Sequence, residues 1–405
     1  VPRLDINLNA IEDNTRALVD RLAPLGIRVL GVAKGACGLP DVARAIVRGG
    51  AAGLGDSRLD NLSRMRSGGA TGSFTLIRSP MLSQVSRTVQ HAQISVNTEP
   101  SVLVALSRAA ERAGQVHEII LMVEMGDLRE GIAVPEVDAA ARSLARHPGL
   151  RLNGIGTNLA CHSGIAPDEQ KMSELSELAD QVERAVGHSL ATVSGGNSAN
   201  LNWAFETGDV GRINELRLGE AILLGTEPLS GAPVDGLRTD AFTLVGEVIE
   251  VRDKPVHPWG TRVSMAFGDR TPPRGTGTIR QAIVAVGRLD TVADGLIPPE
   301  GMSVLGMSSD HLILNIGDHN TVVGDQVSFA LGYSALMRAT SSPYVHTHIS
   351  AETPLHIAHA HHSVVHGTMS RRALTAPSGA THEERIRRVT SARSSDAASR
   401  EGSVP

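Results

Sequence analysis

Between residues 3 and about 225 the chain repeats one pattern. Short apolar runs, rich in β-branched residues, alternate with longer stretches whose apolar positions recur at helical spacing. The runs fall at 27–33, 51–54, 74–77, 92–96, 117–123, 152–156, 190–193 and 215–218. Helix-like stretches between them include 40–47, 99–113, 136–146 and 167–186. The last opens on Pro167 and Asp168, residue types favoured in a first turn. Strands alternating with helices imply βαβ units and a parallel sheet. About eight repeats in roughly 220 residues predict a (β/α)8 barrel, with an open doubly wound sheet as the alternative.

After Gly225 the texture changes. Pro, Gly, Thr and Val become frequent and helical periodicity fades until Ala335. Runs at 242–252, 280–286, 303–305, 311–316 and 326–331 read as strands separated by turn signals such as Pro272-Pro273-Arg274-Gly275. The expected class is α/β: a TIM-like (β/α)8 barrel over 1–228, then a mainly-β domain over 229–345. Residues 346–405 are poor in core-forming side chains and read as a disordered tail. Seven histidines stand between 346 and 366. Some are spaced for chelation, but no Cys or second-shell acid accompanies them, so a solvated tail is preferred and no metal site is expected.

Composition narrows the function. Hydrophobic residues make up 41% and charged residues 20%, as in a globular protein. Aromatic residues are only 2%, so Leu, Val, Ile and Ala must build the core. The net charge of −5 gives no support to a nucleic-acid partner. No uninterrupted apolar run of about 18 residues predicts a membrane span. Cys37 and Cys161 are too few for a disulfide framework, which points to a reducing, cytoplasmic compartment. The N-terminus lacks a signal-peptide pattern, and the start at Val1 reads as a processed or trimmed end.

Function in such a barrel gathers where strands end. Lys34 closes the first apolar run and is followed by Gly35 and Gly38. Desolvation there would lower its pKa and free the amine as a nucleophile toward carbonyl groups, although a solvated strand-end lysine is the plainer reading. Ser194-Gly195-Gly196-Asn197-Ser198-Ala199-Asn200 follows another run. Such a turn can offer backbone N–H groups and side-chain donors to a phosphate monoester, or can be a simple Gly-rich connection. Neither the dinucleotide glycine spacing nor a Walker lysine is present. Arg217-Leu218-Gly219-Glu220, one strand later, could meet the same phosphate.

These pieces stand in one order with Val32-Ala33-Lys34-Gly35, Gly55-Asp56-Ser57-Arg58, the stretch from Met122 to Gly131, Gly154-Ile155-Gly156-Thr157-Asn158-Leu159 and Ser308-Ser309-Asp310-His311. Together they resemble the alanine/ornithine racemase family of fold-type III pyridoxal-phosphate enzymes, and most of all its ornithine racemase branch. The resemblance covers about residues 3 to 345. It implies pyridoxal 5'-phosphate as cofactor, a Schiff-base role for Lys34, and a homodimer with a shared active site. By the same resemblance Asn197, Ser198 and the backbone of Gly219 and Glu220 form the phosphate cup, which Tyr333 also contacts. Asn158 lies against the cofactor ring, Arg129 near the substrate carboxylate, and Arg217 faces the pyridine nitrogen. A permanently charged donor at that nitrogen keeps it unprotonated and favours clean proton return. The plain alternative for Arg217 is a surface ion pair with Glu215.

Three departures accompany the resemblance. No tyrosine stands in Ser264-Met265-Ala266-Phe267-Gly268-Asp269, where alanine racemases carry the opposite-face base. The Met122–Val123 neighbourhood replaces a lysine, and Gly38 replaces another tyrosine. Racemisation needs acid–base groups on both faces. The candidates for the second are Asp310 and His311, in a turn that the resemblance implies is presented by the partner subunit, with Asp310 alternatively binding a distal substrate amine; a surface Asp–His pair is the plain reading. Cys161 and His162 are lesser candidates. The expected activity is racemisation of a free amino acid with a basic or polar side chain. The alternatives are decarboxylation of a basic amino acid and a non-catalytic cofactor-binding protein.

Overall fold

The structure, a computed structural model, describes residues 1–261 and 276–350. The chain opens on β1 (Arg3–Asn7), which does not join the barrel. The next strands are β2 (Arg28–Val32), β3 (Gly53–Asp56), β4 (Ser73–Leu76), β5 (Ile94–Asn97), β6 (His117–Glu124), the two-residue β7 (Ile132–Ala133), β8 (Leu150–Gly156), β9 (Thr192–Gly196) and β10 (Glu215–Leu218). All except β7 form an eight-stranded parallel barrel in the order β5-β4-β3-β2-β10-β9-β8-β6, closed by pairing of β5 with β6. Each barrel strand coincides with one predicted apolar run. Strands covered on both faces by protein read as continuous rather than alternating apolar stretches, which made these eight visible.

Helices pack outside the barrel. Helix Glu169–Val186 buries Met172, Leu175, Leu178, Ala179 and Val182 at helical spacing. The Asp168 side chain caps its first turn by accepting from the Lys171 N–H at 2.8 Å, and Gly187 ends it at φ +78°. Along β6, Ile119, Leu121 and Val123 belong to this outer core. Ile120 and Met122 point the other way and cluster with Val96 of β5. Val96 and Met122 of that inner cluster line the cavity described below.

The second sheet holds β11 (Phe242–Pro255), β12 (Thr278–Val284), β13 (Leu296–Ile297), β14 (Ser303–Met307), β15 (Leu312–Asn315) and β16 (Gln326–Leu331), in the order β13-β16-β11-β12-β15-β14 and antiparallel throughout. Two findings depart from expectation. First, β1 pairs antiparallel with β11, so the N-terminal strand is part of the C-terminal sheet. Second, residues 346–350, expected in the tail, form β17 (His346–Ser350), parallel to β1. Its sequence, His-Thr-His-Ile-Ser, has little to bury, and backbone pairing with an available edge makes the strand. The Pro272–Gly275 turn, the 264–269 segment and the tail from 351 lie outside the described residues. Among the described residues no helix is long and apolar enough to cross a membrane, and no cluster of three or more His, Cys, Asp or Glu could hold a metal.

Candidate active site

The carboxyl ends of the barrel strands surround a cavity of about 240 Å³. Lys34, Arg129, Asn158, Asn197, Ser198, Arg217, Gly219, Glu220 and Tyr333 all line it. Lys34 begins the short 3-10 turn that follows β2. Burial holds its amine below lysine's ordinary range; the nearby Arg129 and Arg217 charges push the same way, and Cys161 and Asp56 oppose them. Asp56, at the end of β3, accepts from the Arg58 N–H at 2.9 Å and from Asn61 Nδ2, and burial lifts its carboxyl to about 6. Tyr333 reaches the cavity from the first turn of helix Tyr333–Ser341, which follows β16. It packs on Gly35, where an added Cβ would lie 3.0 Å from its ring. Burial raises the tyrosine's pKa, so it stays a neutral donor.

The turn after β9 is tightly specified. The Asn197 side chain accepts from the Ala199 N–H at 2.8 Å while Asn200 Oδ1 accepts from the Asn197 N–H at 3.1 Å, a reciprocal cap. The Ser198 hydroxyl accepts from the Ala221 N–H at 3.2 Å. That bond holds the 197–200 turn beside the 219–221 turn after β10, so the two predicted anchors converge. Glu220 carries its side chain into the same wall, where burial and then Glu227 raise its carboxyl to about 7.

Arg217 is 5% exposed, so the surface ion pair with Glu215 does not exist. Its guanidinium donates to Ser194 Oγ at 2.6 Å, to the Thr157 carbonyl at 2.6 Å and to Asn158 Oδ1 at 3.3 Å. Burial presses its pKa down, yet a guanidinium remains charged. Asn158 Oδ1 also accepts from Asn197 Nδ2 at 3.2 Å. With the oxygen held between two donors, the amide nitrogen is left buried at the cavity with no protein acceptor. A buried orphaned donor in a cavity that Lys34, Arg217 and the two joined turns also line is what an anionic, acceptor-bearing ring compound would satisfy. The residues present therefore fit pyridoxal phosphate.

Arg129 stands on the loop after β6, with 34% of its side chain open to solvent. It donates to both oxygens of Glu130, and its Nη1 donates to the Cys161 thiol. Glu130 and Cys161 also line the cavity, as do the apolar Ile77, Val96 and Met122. Glu130 went unmarked in the sequence because its role depends on which neighbour it pairs with. Its position inside the 122–131 stretch was the only signal. His162 does not line the cavity; its backbone N–H donates to Asp127. Asp310 and His311 are exposed in a turn that bonds to itself, with Ser309 donating to Asp310 and Ser308 N–H donating to the His311 carbonyl. Within one chain they are not brought to the cavity. At Gly38, φ is +61° and an added Cβ would lie 2.6 Å from that of Asn61, so no larger side chain can stand there.

The site thus sets a desolvated lysine beside two joined turns at the strand ends of a closed parallel barrel, which is followed by a mainly antiparallel second sheet. Residues 6–228 match the family described as alanine racemase, N-terminal domain. The chain is 37% identical to a lysine racemase of Thermotoga maritima over 347 residues, 85% of this chain and 97% of that protein. It is 33% identical to an ornithine racemase of Acetoanaerobium sticklandii, covering 85% and 98%. Its fold is similar to that of an alanine racemase from Streptomyces lavendulae, with a TM-score of 0.68, 21% identity and coverage of 86% and 97%. The chain belongs to the alanine racemase family and is an amino-acid racemase. The decarboxylase alternative is not favoured.

Proposed function

We propose that the protein racemises a free basic amino acid, lysine- or ornithine-like, with pyridoxal 5'-phosphate held in this cavity. The observation that carries the reading is the convergence of a desolvated Lys34, the joined 197–200 and 219–221 turns and the clamped Arg217 on one pocket. The basic substrate class is supported by the two curated relatives, which are named for lysine and ornithine.

When bound, the cofactor supplies an electron-withdrawing ring that acidifies the α-C–H of an attached amino acid. The chain supplies the rest. Ser198 and the backbone of Gly219 and Glu220 would hold the phosphate, with Tyr333 donating its phenol and Asn197 fixing the turn. Asn158 would offer its free Nδ2 at the ring, beside Arg217. Arg217 has no lone pair with which to take a proton, so it would act only as a donor toward the ring nitrogen. Arg129 would orient the substrate carboxylate. Lys34, with its amine held below its usual pKa, would move the α-proton at Nζ on one face. The opposite face requires a second group. We assign it to Asp310 and His311 of a second copy, which would make the working unit a homodimer with a shared site. The two free thiols are compatible with a reducing cytoplasmic setting.

One experiment tests the activity. Single enantiomers of lysine or ornithine are incubated with the cofactor-loaded protein in deuterated water. The opposite enantiomer should form and carry α-deuterium. An amine product would mean decarboxylation, and no exchange at all would sink the reading. Borohydride treatment should fix the cofactor to Lys34 alone. If Asp310→Ala and His311→Ala both turn over at the wild-type rate, the second-face assignment is wrong.

A further inference from the structure

Three acidic residues stand at or beside the loop that carries Arg129, and their partners differ in kind. The Glu124 carboxylate accepts from the N–H groups of Gly126 at 2.6 Å and Leu128 at 3.1 Å. Asp127 accepts from the N–H groups of Cys161 at 3.3 Å, His162 at 3.0 Å and Ser163 at 3.0 Å, which ties this loop to the one after β8. Those two carboxylates are consumed by backbone and brace the cavity rim. Glu130 is held by a side chain instead. One oxygen meets Arg129 Nε and the other meets Nη2.

That side-on pairing is the geometry in which an arginine receives a free carboxylate. Glu130 thus fills, from within the chain, a position suited to the carboxylate of an amino acid. It lines the cavity, with 27% of its side chain exposed. Of the other acids near the site, Glu220 also lines the cavity but sits among the turns after β9 and β10, and Asp56 is fully buried and bonded to Asn61. Glu130 is the cavity-lining carboxylate whose partner an incoming ligand could replace.

We propose that Glu130 is a specificity-determining residue that surrenders Arg129 to the α-carboxylate of the substrate and takes the substrate's distal ammonium in return. This rests on the reading of the protein as a racemase of basic amino acids. Charge balance gives the exchange its selectivity. An amino acid with a distal ammonium leaves both Arg129 and Glu130 paired. One with a neutral side chain claims Arg129 and strands a partly buried carboxylate, and an acidic one brings a second negative charge against it. The device therefore rejects wrong substrates as much as it attracts right ones.

The test uses the full chain loaded with pyridoxal phosphate and compares L-lysine with L-norleucine, which lacks the ammonium. Binding is measured by calorimetry and α-deuterium exchange in parallel. Wild type should prefer lysine by at least about tenfold, a value set by one partly desolvated charge pair. In Glu130→Gln the preference should shrink to within about threefold, mainly through weaker lysine binding. Glu130→Asp keeps the charge and should keep most of the preference. An unchanged preference in Glu130→Gln overturns the proposal. So does an equal loss for both ligands, which would make Glu130 a mere support for Arg129, or the absence of any preference in wild type. If lysine binds selectively through Glu130 but no α-proton exchanges, the racemase reading fails while the ligand assignment stands.

Discussion

The two arginines of the cavity are held in opposite ways. Arg217 sits on a barrel strand, buried, and donates to a hydroxyl on β9 and to a backbone carbonyl and an amide oxygen just after β8. Arg129 sits on a loop, one third of its side chain exposed, and its partners are a neighbouring carboxylate and a thiol. The first arrangement has no slack and fixes one geometry. The second is an ion pair that any better-placed carboxylate can break. The wall proposed to meet the cofactor is built as part of the core, and the wall proposed to meet the substrate is built as an exchangeable contact.

If that contrast holds, the two arginines should fail differently. Arg217→Ala should have the largest effect on the fold. It leaves the buried Thr157 carbonyl and the Ser194 hydroxyl without their donor and removes one of two donors to Asn158 Oδ1, costing on the order of 3 kcal/mol and several degrees of thermal midpoint. Arg129→Ala should cost less than about 1 kcal/mol, since partly exposed ion pairs contribute little, yet raise KM for the substrate about tenfold or more. Equal losses of stability in a pair of thermal melts would erase the distinction.

A further effect concerns a buried group away from the site. His117, at the start of β6, bonds to Ser95 Oγ at 2.8 Å, and burial lowers its pKa to about 4 from an ordinary 6.5. Between those values the unfolded chain takes up a proton that the folded chain refuses. Stability is therefore intact above 6.5, falls as pH drops toward 4 and levels off below it, by about 3 kcal/mol at most. Asp56, raised to about 6, works against this, because the folded state binds its proton first. His117→Gln should flatten the acid side of a plot of thermal midpoint against pH. A plot of unchanged slope would mean that His117 is not the group responsible.

The barrel was legible because its strands are uniformly apolar, and the lysine and the glycine-rich turn stood out at their ends. The helix at 169–186 announced itself by spacing and by Pro167 and Asp168, expected in its first turn, of which Asp168 is the cap that precedes it. What the chain did not announce was pairing across long separations. Arg3–Asn7 looks like any short strand, and nothing local says that it belongs with Phe242. His346–Ser350 lacked apolar content, and its strand exists because β1 offers an edge. The clamp on Arg217 was out of reach for the same reason, since Ser194 and Thr157 acquire meaning only when β8, β9 and β10 lie side by side. Glu130 was hidden by proximity: beside an arginine in the sequence, it gave no hint of which way either side chain would turn.

The clasp of β1 by β17 bears on how the protein is made. Asp5 and His348, 343 positions apart, meet side chain to side chain at 3.1 Å in adjoining strands. On a ribosome the first strand emerges long before its parallel neighbour exists, so that edge waits unpaired while everything between is translated. Closing so long a loop comes late, after the barrel's near-neighbour contacts. The clasp would be the last seam sewn, and the one where a nascent chain is most open to pairing with another of its kind.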